Sequence, residues 1–439
     1  MKTYEQYRDS GVEWIGEIPD HWTQKTLKKL STITLGKMLT DKDKGGFVKK
    51  PYLRSKNIQI EEVDVSDVKE MWFSPSELIK YLVKENDILV SEGGDVGRTS
   101  IWKNQLEECY LQNSVQKITM NEGYYPRYFF YHFQGHHFVG YFDSIVDRVS
   151  IPHLTKEKIS EVLFVIPSLP EQQQIVTYLD QKTSQIDELI DKKTRKIELL
   201  KEYRTSLINQ VVTKGLDPNV EMKDSGVEWI GEIPVGWEKK RLKHVVVYKN
   251  GYTFRSEDFS LDHEIPVIRI GDVSDDIDFE SCIRLPVQFV EQYKDFVVKK
   301  LDIMIGLTGG TIGKSGRYTS EINSLLNQRV CVLRNHKSIL NSHLYYYVKS
   351  KVFKEYIDYD CYGGGQDNIG KDEILDMVVP LPSLPEQQQI VTYLDQKTQE
   401  IDQSIETEEK KIEHLKEYRQ SLISNVVTGK IDIRDTVAA

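Results

Sequence analysis

The chain consists of two copies of one unit. Residues 9–19, Asp-Ser-Gly-Val-Glu-Trp-Ile-Gly-Glu-Ile-Pro, recur unchanged as residues 224–234, an offset of 215 positions. Residues 168–183, Ser-Leu-Pro-Glu-Gln-Gln-Gln-Ile-Val-Thr-Tyr-Leu-Asp-Gln-Lys-Thr, recur unchanged as residues 383–398 with the same offset. A fixed period of this kind reports a repeated structural unit, so both halves of the chain should adopt one fold.

Between the identical flanks the two halves differ strongly. The landmarks that survive are a proline, an arginine and an Asp-Ile dipeptide, found as Pro51 and Pro266, Arg54 and Arg269, and Asp87-Ile88 and Asp302-Ile303. The middle of each unit therefore keeps its fold while its surface changes. Identical flanks indicate one shared function carried out twice, whereas divergent middles indicate two different ligands.

Composition places the chain among ordinary folded proteins. Its 439 residues are 39% hydrophobic and 29% charged, which is enough for two to four domains with sizeable cores. Residues 1–11 contain no apolar segment, and the four cysteines lie far apart without a Cys-x-x-Cys pair. We therefore expect a cytoplasmic protein with no structural zinc and no disulfide framework.

The net charge limits how the chain can contact nucleic acid. With 68 acidic and 58 basic residues it carries a formal charge of −10. A chain that wraps nucleic acid over its whole surface would be basic. Local basic faces remain compatible with this composition.

Each middle, residues 18–167 and 233–382, alternates short β-rich runs with turns and helices, which predicts an α/β domain. The expected strands are residues 87–90, 266–270, 302–305 and 330–333, and the expected helices are residues 126–133 and 342–349.

Each flank that follows Pro170 or Pro385 has no internal proline or glycine for about 40 residues and predicts one long helix. A heptad pattern runs along both helices. Its seam contains Leu179, Ile186, Ile190, Lys193, Ile197 and Leu200 in the first helix, and Leu394, Ile401, Ile405, Glu408, Ile412 and Leu415 in the second. We expect the two helices to pack on each other with Lys193 facing Glu408; the alternative is that each lies on its own domain as an amphipathic helix.

The repeat predicts four segments. Residues 1–167 form a first α/β domain with an N-terminal segment, and residues 168–215 form the first long helix. Residues 216–382 form a second α/β domain, and residues 383–439 form the second long helix with a tail. The segments 4–16 and 426–436 should lie close together, because they must imitate the connection between the two units.

A glycine-rich segment, residues 306–315, resembles a phosphate-binding P-loop but has the wrong spacing. Six residues separate Gly306 from Gly313, where a P-loop requires four. The same segment of the first unit contains Glu92 and Asp95, where phosphate would lie. We therefore expect no nucleotide hydrolysis. The turn suits close approach to one DNA phosphate through Gly94 or Gly310 and the basic residue that follows. The alternative is a tight turn whose basic residue is solvated.

Polar side chains suited to DNA cluster near the landmarks. In the first unit the candidates are Arg54, Lys56, Asn57, Gly94, Arg98, Gln112, Asn113 and Arg148, and in the second they are Arg269, Asp272, Gly310, Lys314, Asn327, Gln328, Gln366 and Asn368. Arginine pairs with guanine and Asn or Gln with adenine in the major groove. The alternative for each is a turn cap or a structural salt bridge. No catalytic constellation is present, and His132, His136 and His137 fit packing in aromatic surroundings.

Taken in order, these motifs resemble the specificity subunit of type I restriction-modification systems. The order is Ile-Pro-x-x-Trp-x-x-x-x-Leu (18–27, 233–242), Pro-x-x-Arg, Asp-Ile with a glycine-rich turn, an Asn and Gln pair, and Pro-Ser-Leu-Pro-Glu-Gln-Gln-Gln-Ile-Val opening a long helix. The resemblance covers essentially the whole chain and occurs twice. The acids Glu92 and Asp95 depart from the small or hydroxyl residues usual in this turn.

The resemblance implies two α/β target-recognition domains separated by two antiparallel helices, each domain reading one half of a bipartite DNA site. It also implies two modification subunits as partners, with restriction subunits joining through the complex. S-adenosylmethionine, ATP and magnesium would be bound by those partners, so this chain would be non-catalytic and hold no cofactor or metal. Two other readings stay open: a two-site protein adaptor without DNA contact, and an autonomous nucleotide-binding enzyme.

Overall fold

The computed structural model describes residues 2–60, 62–146, 153–363 and 368–435. The chain forms two compact units, one made of Met1–Lys193 with Lys410–Ala439 and the other of Thr194–Glu409. Each unit therefore contains one α/β domain and one half of each long helix.

Unit 1 is a mixed α/β structure. Its strands are β1 (Tyr7–Asp9), β2 (Glu17–Pro19), β3 (Thr23–Thr26), β4 (Ser31–Leu35), β5 (Val48–Leu53), β6 (Lys69–Phe73), β7 (Ile88–Ser91), β8 (Thr99–Ile101), β9 (Tyr110–Leu111), β10 (Val115–Met120) and β11 (Leu163–Ile166). Its helices are α1 (Pro75–Tyr81), α2 (Pro126–Phe138), α3 (Tyr141–Ile145), α4 (Lys156–Ser160) and the first half of α5 (Leu169–Lys214). The largest sheet is antiparallel, in the order β4-β10-β7-β8, and a second sheet has the order β6-β5-β9 with β5 and β9 parallel.

Unit 2 repeats this arrangement. Its strands are β12 (Met222–Asp224), β13 (Glu232–Pro234), β14 (Glu238–Arg241), β15 (Val246–Asn250), β16 (Ile265–Ile268), β17 (Arg284–Leu285), β18 (Val297–Val298), β19 (Ile303–Gly306), β20 (Ser315–Arg317), β21 (Ser324–Leu326), β22 (Val330–Asn335) and β23 (Val378–Leu381). Its helices are α6 (Phe289–Gln292), α7 (Asn341–Val348), α8 (Lys351–Gly363) and α9 (Lys371–Asp376), and α10 (Leu384–Val427) begins here and ends in unit 1. The sheet β15-β22-β19-β20 matches the four-stranded sheet of unit 1, and the parallel pair β16 and β21 matches β5 and β9. The predicted α/β repeat is confirmed.

One predicted strand is shorter than expected, and the cause is a side chain. Residues 266–270 were expected to be extended, but β16 ends at Ile268 and Ile270–Asp272 form a 3-10 turn. The Asp272 carboxylate accepts a hydrogen bond from the backbone N–H of Arg269 at 2.9 Å. This cap stabilises the turn at the expense of further extension.

The landmark aspartates shape the entrance to the central strands. Asp87 and Asp302 are each 2% exposed, and each accepts a hydrogen bond at 2.8 Å from the backbone N–H three residues earlier. Arg334 binds the carboxylate of Asp302 through Nε at 2.7 Å and Nη2 at 2.8 Å. In unit 1 burial raises the pKa of Asp87, which accepts from the Thr119 hydroxyl.

The two long helices begin and end through recognisable signals. Ser168 and Ser383 each place Oγ 3.4 Å from the backbone N–H of the third residue on, with proline in the first turn. At the other end, Gly215 and Gly429 adopt the left-handed backbone, with φ of 76° and 75°. These glycines allow the chain to leave each helix through a left-handed cap.

Within each unit the two helix halves run antiparallel and are joined by ion pairs. In unit 1 the Asp187 carboxylate lies 2.9 Å from Nε of Arg419, and in unit 2 Asp402 lies 3.1 Å from Nε of Arg204, which is the equivalent pair. The seam residues Leu179, Ile186, Ile197, Leu394, Ile401, Ile405 and Ile412 are buried, and Ile190, Leu200 and Leu415 are half-buried. The predicted packing of the helices on each other is therefore present in both units.

The polar seam residue Glu408 is paired. It is 5% exposed, and its carboxylate lies 3.0 Å from Nζ of Lys196 within unit 2. The predicted attraction between Lys193 and Glu408 joins residues of different units and stays a prediction.

The unchanged repeat at the helix starts attaches each α/β domain to its long helix. The Trp22 indole donates to Glu171 at 3.1 Å, and in unit 2 the Trp237 indole donates to Glu386 at 2.8 Å. The next residue, Gln172, donates to the Pro167 carbonyl at 3.0 Å and accepts from the backbone N–H before α2 at 3.0 Å. Its copy makes the corresponding bonds in unit 2. Identity in this segment thus has an internal structural cause.

The segments 4–16 and 426–435 contact each other in unit 1. The Tyr7 hydroxyl donates to the Gly429 carbonyl at 3.0 Å, and the Arg434 guanidinium lies 4.8 Å from the Tyr4 ring centre. The expected proximity of these segments is confirmed over the described residues.

Histidine and tyrosine exchange places in the two cores. In α2 the Tyr128 hydroxyl donates to the Val165 carbonyl at 2.8 Å, and His132 lies one turn later. In α7 the order is reversed: His343 comes first, and Tyr347 donates to the Val378 carbonyl at 2.5 Å. Packing was the predicted role of His132 and His136, and both are fully buried.

No helix among the described residues is long and apolar enough to cross a membrane.

Burial of these histidines makes stability depend on pH. Burial lowers the pKa of His343 to about 4, and neither ring nitrogen has a hydrogen-bond partner among the described residues. An unfolded histidine titrates near 6.5, so the unfolded chain binds more protons below that pH and stability falls as the pH drops from about 6.5 towards 4.

We expect His343 to account for about 2 kcal/mol of the stability lost between pH 7.5 and pH 5. Denaturant unfolding followed at both pH values measures this loss. His343→Phe should reduce the difference between the two pH values, whereas His414→Gln, at an exposed position, should leave it unchanged. An equal pH dependence in wild type and His343→Phe would contradict the assignment.

Candidate nucleic-acid interface

The candidate residues of unit 1 converge where β5, β7 and β9 end. Ser55 lies just after β5, and its backbone N–H donates to the Ser114 hydroxyl at 2.9 Å. The Ser55 hydroxyl donates to the Gly93 carbonyl at 2.9 Å, and the backbone N–H of Glu92 donates to the Ser114 carbonyl at 2.9 Å. These bonds join three separate segments into one surface, which we call the unit 1 strand-end surface: residues 54–57, 91–98 and 112–114.

The two basic side chains that follow β5 both form an ion pair with Asp67. Arg54 Nη2 and Lys56 Nζ each lie 3.0 Å from the Asp67 carboxylate. Hydrogen bonds from Lys56 and then Arg54 lower the pKa of Asp67. Asn57 is 1% exposed and donates to the carbonyls of Asp64 and Asp67, so its side chain shapes the turn.

The glycine-rich turn of unit 1 presents one exposed glycine. Gly94 is exposed with φ of 79°, a conformation that favours glycine. Arg98 donates through Nη2 to the Ser55 carbonyl at 3.0 Å, which ties the turn to the end of β5, while its buried Nε has no partner among the described residues. Burial raises the pKa of Glu92, and the nearby His153 opposes this shift.

The amides after β9 are half-buried. Gln112 donates to the Asn113 side chain at 2.5 Å and accepts from the backbone N–H of Ser114 at 3.2 Å. Gln112 is therefore oriented from within the chain, which is the condition for a side chain that must present a fixed pattern of donors and acceptors to a base edge.

Unit 2 forms the equivalent surface, residues 269–272, 307–314 and 327–329. The Lys314 ammonium donates to the Gly271 carbonyl at 3.0 Å, whereas Arg98 in unit 1 donates to the Ser55 carbonyl. Arg269 is exposed and contacts Asp272 at 3.2 Å, and Gly310 is exposed. Asn327 and Gln328 are half-buried, with Oε1 of Gln328 unpartnered among the described residues.

In each unit a further segment reaches the strand-end surface. In unit 1, residue 93 forms a bridge with residue 153, and in unit 2 Thr308 forms the equivalent bridge with Asn368. Arg148 and Gln366 were predicted in the segments that lead to these bridges, and both lie outside the described residues.

Sequence reasoning missed the residues that assemble these surfaces. Ser55 and Ser114 carry no local signal, because their partners lie far along the chain. Asp67, which pairs with Lys56 and Arg54, lies 11 and 13 residues from them in a loop. Among the described residues, no group of three or more His, Cys, Asp or Glu side chains is arranged to hold a metal ion.

Residues 19–199 and 234–417 match the family described as the type I restriction modification DNA specificity domain. These two segments cover most of the chain, one in each repeat. The chain therefore belongs to this family, as its motifs predicted.

Known relatives span most of the chain. It is 27% identical over 362 residues to the type I restriction enzyme MjaVIII specificity subunit of Methanocaldococcus jannaschii, covering 81% of each protein. It is 25% identical to the EcoBI specificity subunit of Escherichia coli, covering 72% of this chain and 67% of the relative.

Solved structures share the fold. A chain from a structure described as showing complex assembly and conformational transition of the type I R-M system aligns with a TM-score of 0.70 at 17% identity, covering 94% of this chain and 99% of that one. The HsdS subunit from Thermoanaerobacter tengcongensis aligns with a TM-score of 0.53 at 17% identity, covering 94% of this chain and 98% of that one.

Asp67 should weaken the attraction of unit 1 for DNA, because it neutralises part of the charge of Arg54 and Lys56. Asp67→Asn is expected to raise the affinity of the chain, assembled with its partners, for non-specific duplex DNA several-fold at low salt. Fluorescence anisotropy over a salt series measures this. The matched change Glu107→Gln, at an exposed position of the same unit, removes the same charge and should have less effect. Equal effects of the two changes would show that Arg54 and Lys56 lie away from DNA.

Proposed function

We propose that this chain is the sequence-specific DNA recognition subunit of a type I restriction-modification complex, in which each unit reads one part of a bipartite site. The observation that carries the proposal is that two units of one fold present different polar side chains at the same strand-end surface. Membership of the DNA specificity family supports it. A repeat that keeps its framework and changes this surface is suited to reading two different base sequences.

The two surfaces differ in the chemistry they offer to bases. In unit 1 this surface contains the amides Gln112 and Asn113 and the carboxylate of Glu92, and in unit 2 it contains Asn327, Gln328 and the exposed Arg329. Amide side chains suit adenine, arginine suits guanine, and carboxylates accept from the cytosine amino group. Arg98 and Lys314, which are anchored to backbone carbonyls, position the glycine-rich turns rather than select a base.

The reaction itself belongs to the partner subunits in this proposal. Two modification subunits would bind S-adenosylmethionine and methylate adenine, and restriction subunits would use ATP and magnesium. This chain would contribute recognition and assembly.

Reconstitution of the chain with its modification partners tests the proposal. We expect salt-dependent binding to one bipartite sequence, located by mapping the methylated adenines in cells that carry the whole system. Exchange of residues 22–167 for the same region of a relative should change one half-site and leave the other. A protein adaptor would show neither sequence preference nor methylation, and those results would refute the proposal.

The identical flanks also expose side chains with no evident structural use. Tyr203 and its copy Tyr418 are 55% and 46% exposed, and Leu169 and Leu384 are 40% and 45% exposed. Exposed apolar residues that stay the same in both copies are suited to a partner that docks twice. Two copies of one modification subunit are therefore the expected stoichiometry.

Each tyrosine should contribute to the docking of one partner copy. Tyr203→Ala and Tyr418→Ala should each weaken the binding of one modification subunit by roughly 10-fold, since exposed aromatic anchors often carry 1 to 2 kcal/mol of binding free energy. Analytical ultracentrifugation of the complexes measures the loss. The control Leu261→Ala, 69% exposed and present in one copy only, should retain full assembly. Saturation of the wild type by one modification subunit would contradict the two-site arrangement.

A further inference from the structure

A large groove lies beside the glycine-rich turn of unit 2. Its volume is about 1020 Å³, and it is lined by residues 309–315, by residues 348–351, 353–355, 357 and 358 at the end of α7 and the start of α8, and by Thr205 of α5. The exposed Gly309 and Gly310 form part of its wall, and no atom lies within 4 Å of a side-chain carbon built at either position. The backbone of the turn is thus open to a ligand.

Four lysines line this groove. Lys349 lies 2.7 Å from Asp275, and Lys351 lies 3.0 Å from Glu355. Lys314 uses one of its three N–H groups in a hydrogen bond to the Gly271 carbonyl, so two N–H groups remain for a ligand. Lys354 forms no ion pair among the described residues. With Glu355 and Asp358 as the acids in the lining, the charged side chains of the groove sum to a positive charge.

In unit 1 the space behind the equivalent turn is filled more tightly among the described residues, although Gly94 itself is exposed. The position of a side-chain carbon at Gly97 lies 2.2 Å from the Phe142 ring, whereas at Gly313 in unit 2 the nearest atom is a methyl of Ile357 at 3.2 Å. His137 also reaches Asp95 of the turn at 3.8 Å. In unit 2 Val352 occupies the position of His137, so this contact cannot form there.

The charge also differs at matched positions. Where unit 2 has Lys349, Lys351 and Lys354, unit 1 has Gln134, His136 and Val139. The neighbouring groove of unit 1 is about 340 Å³, and no residue of the glycine-rich turn lines it. The two units therefore share a fold but not this basic groove.

We propose that the groove of unit 2 binds a phosphate of the DNA backbone, through Lys351 and Lys354 and the open turn at Gly309 and Gly310, and that unit 1 has no equivalent contact. The inference rests on the proposed function, since it places a backbone contact next to the surface that reads bases. Lysines on a flexible stem and a glycine turn are the groups that hold a phosphate without selecting a sequence.

A contact with a phosphate has a measurable signature. Each phosphate contact contributes about 0.9 to the slope of log affinity against log salt concentration. Over a fourfold rise in salt, a variant that lacks one contact should therefore lose about 3-fold less affinity than the wild type. Because the contact carries no sequence information, its loss should weaken cognate and non-cognate sites equally.

The test uses the chain assembled with its modification partners and bipartite duplexes. Lys351→Gln combined with Lys354→Gln should reduce the salt slope by about one, by the same amount on the cognate site and on a site altered in the half read by unit 2. The control is Lys299→Gln with Lys300→Gln, two exposed lysines of the same unit outside the groove. The control should keep the wild-type slope. Thermal unfolding confirms that both variants remain folded.

A second measurement locates the contact on the DNA. Uncharged methylphosphonate linkages are introduced one at a time, and one position beside the half-site of unit 2 should weaken the wild type but not the lysine variant. An unchanged slope, or a loss confined to the cognate site, would overturn the inference while leaving specific binding by the wild type intact. Absence of specific binding by the wild-type complex would instead refute the proposed function. Binding of a free nucleotide in the groove in the absence of DNA would also overturn the inference.

Discussion

The hydrogen bonds between each recognition domain and the start of its long helix are the constraint on which the rest of the structure depends. A tryptophan indole reaches the glutamate of the helix, and the next glutamine joins the preceding carbonyl to the start of a domain helix. Glu171 and Gln172 are buried, so each would leave an unsatisfied partner if changed. Because both units repeat these bonds, the orientation of the domain on its helix is set by the flank and not by the variable middle. The middle is then free to change its surface without changing its attachment.

This separation explains why the sequence predicted the framework well. The repeat, the long helices and the seam follow from periodicity and caps, which are local properties. The strand-end surfaces also follow in part, because the two glycine-rich turns come directly after the predicted strands 87–90 and 302–305. The individual uses of these residues could not be predicted in the same way. Asn57 and Asp272 cap turns, and Asp67 approaches Arg54 only because the loop folds back, which depends on contacts distant in sequence.

The groove of unit 2 was beyond sequence reasoning for a related reason. Lys351 and Lys354 look like an ordinary solvated helix face, and only the open turn across from them gives their charge a possible ligand. The matching turn of unit 1 also has an exposed glycine, Gly94, but Phe142 packs closer to Gly97 of that turn than Ile357 does to Gly313 in unit 2. How tightly the space behind a glycine-rich turn is filled depends on this neighbouring side chain, which lies more than 40 residues away in each unit.

The reversed order of histidine and tyrosine in α2 and α7 has a consequence for how such genes can recombine. A crossover within the unchanged flanks exchanges whole middles and keeps each pair intact. A crossover between the codons of the two core positions would combine Tyr128 with Tyr347, or His343 with His132, in a single helix. The first product has two phenols where each core provides for one, and the second has two buried imidazoles and lacks the hydroxyl that binds the strand carbonyl. Viable hybrids should therefore have their junctions outside this helical turn.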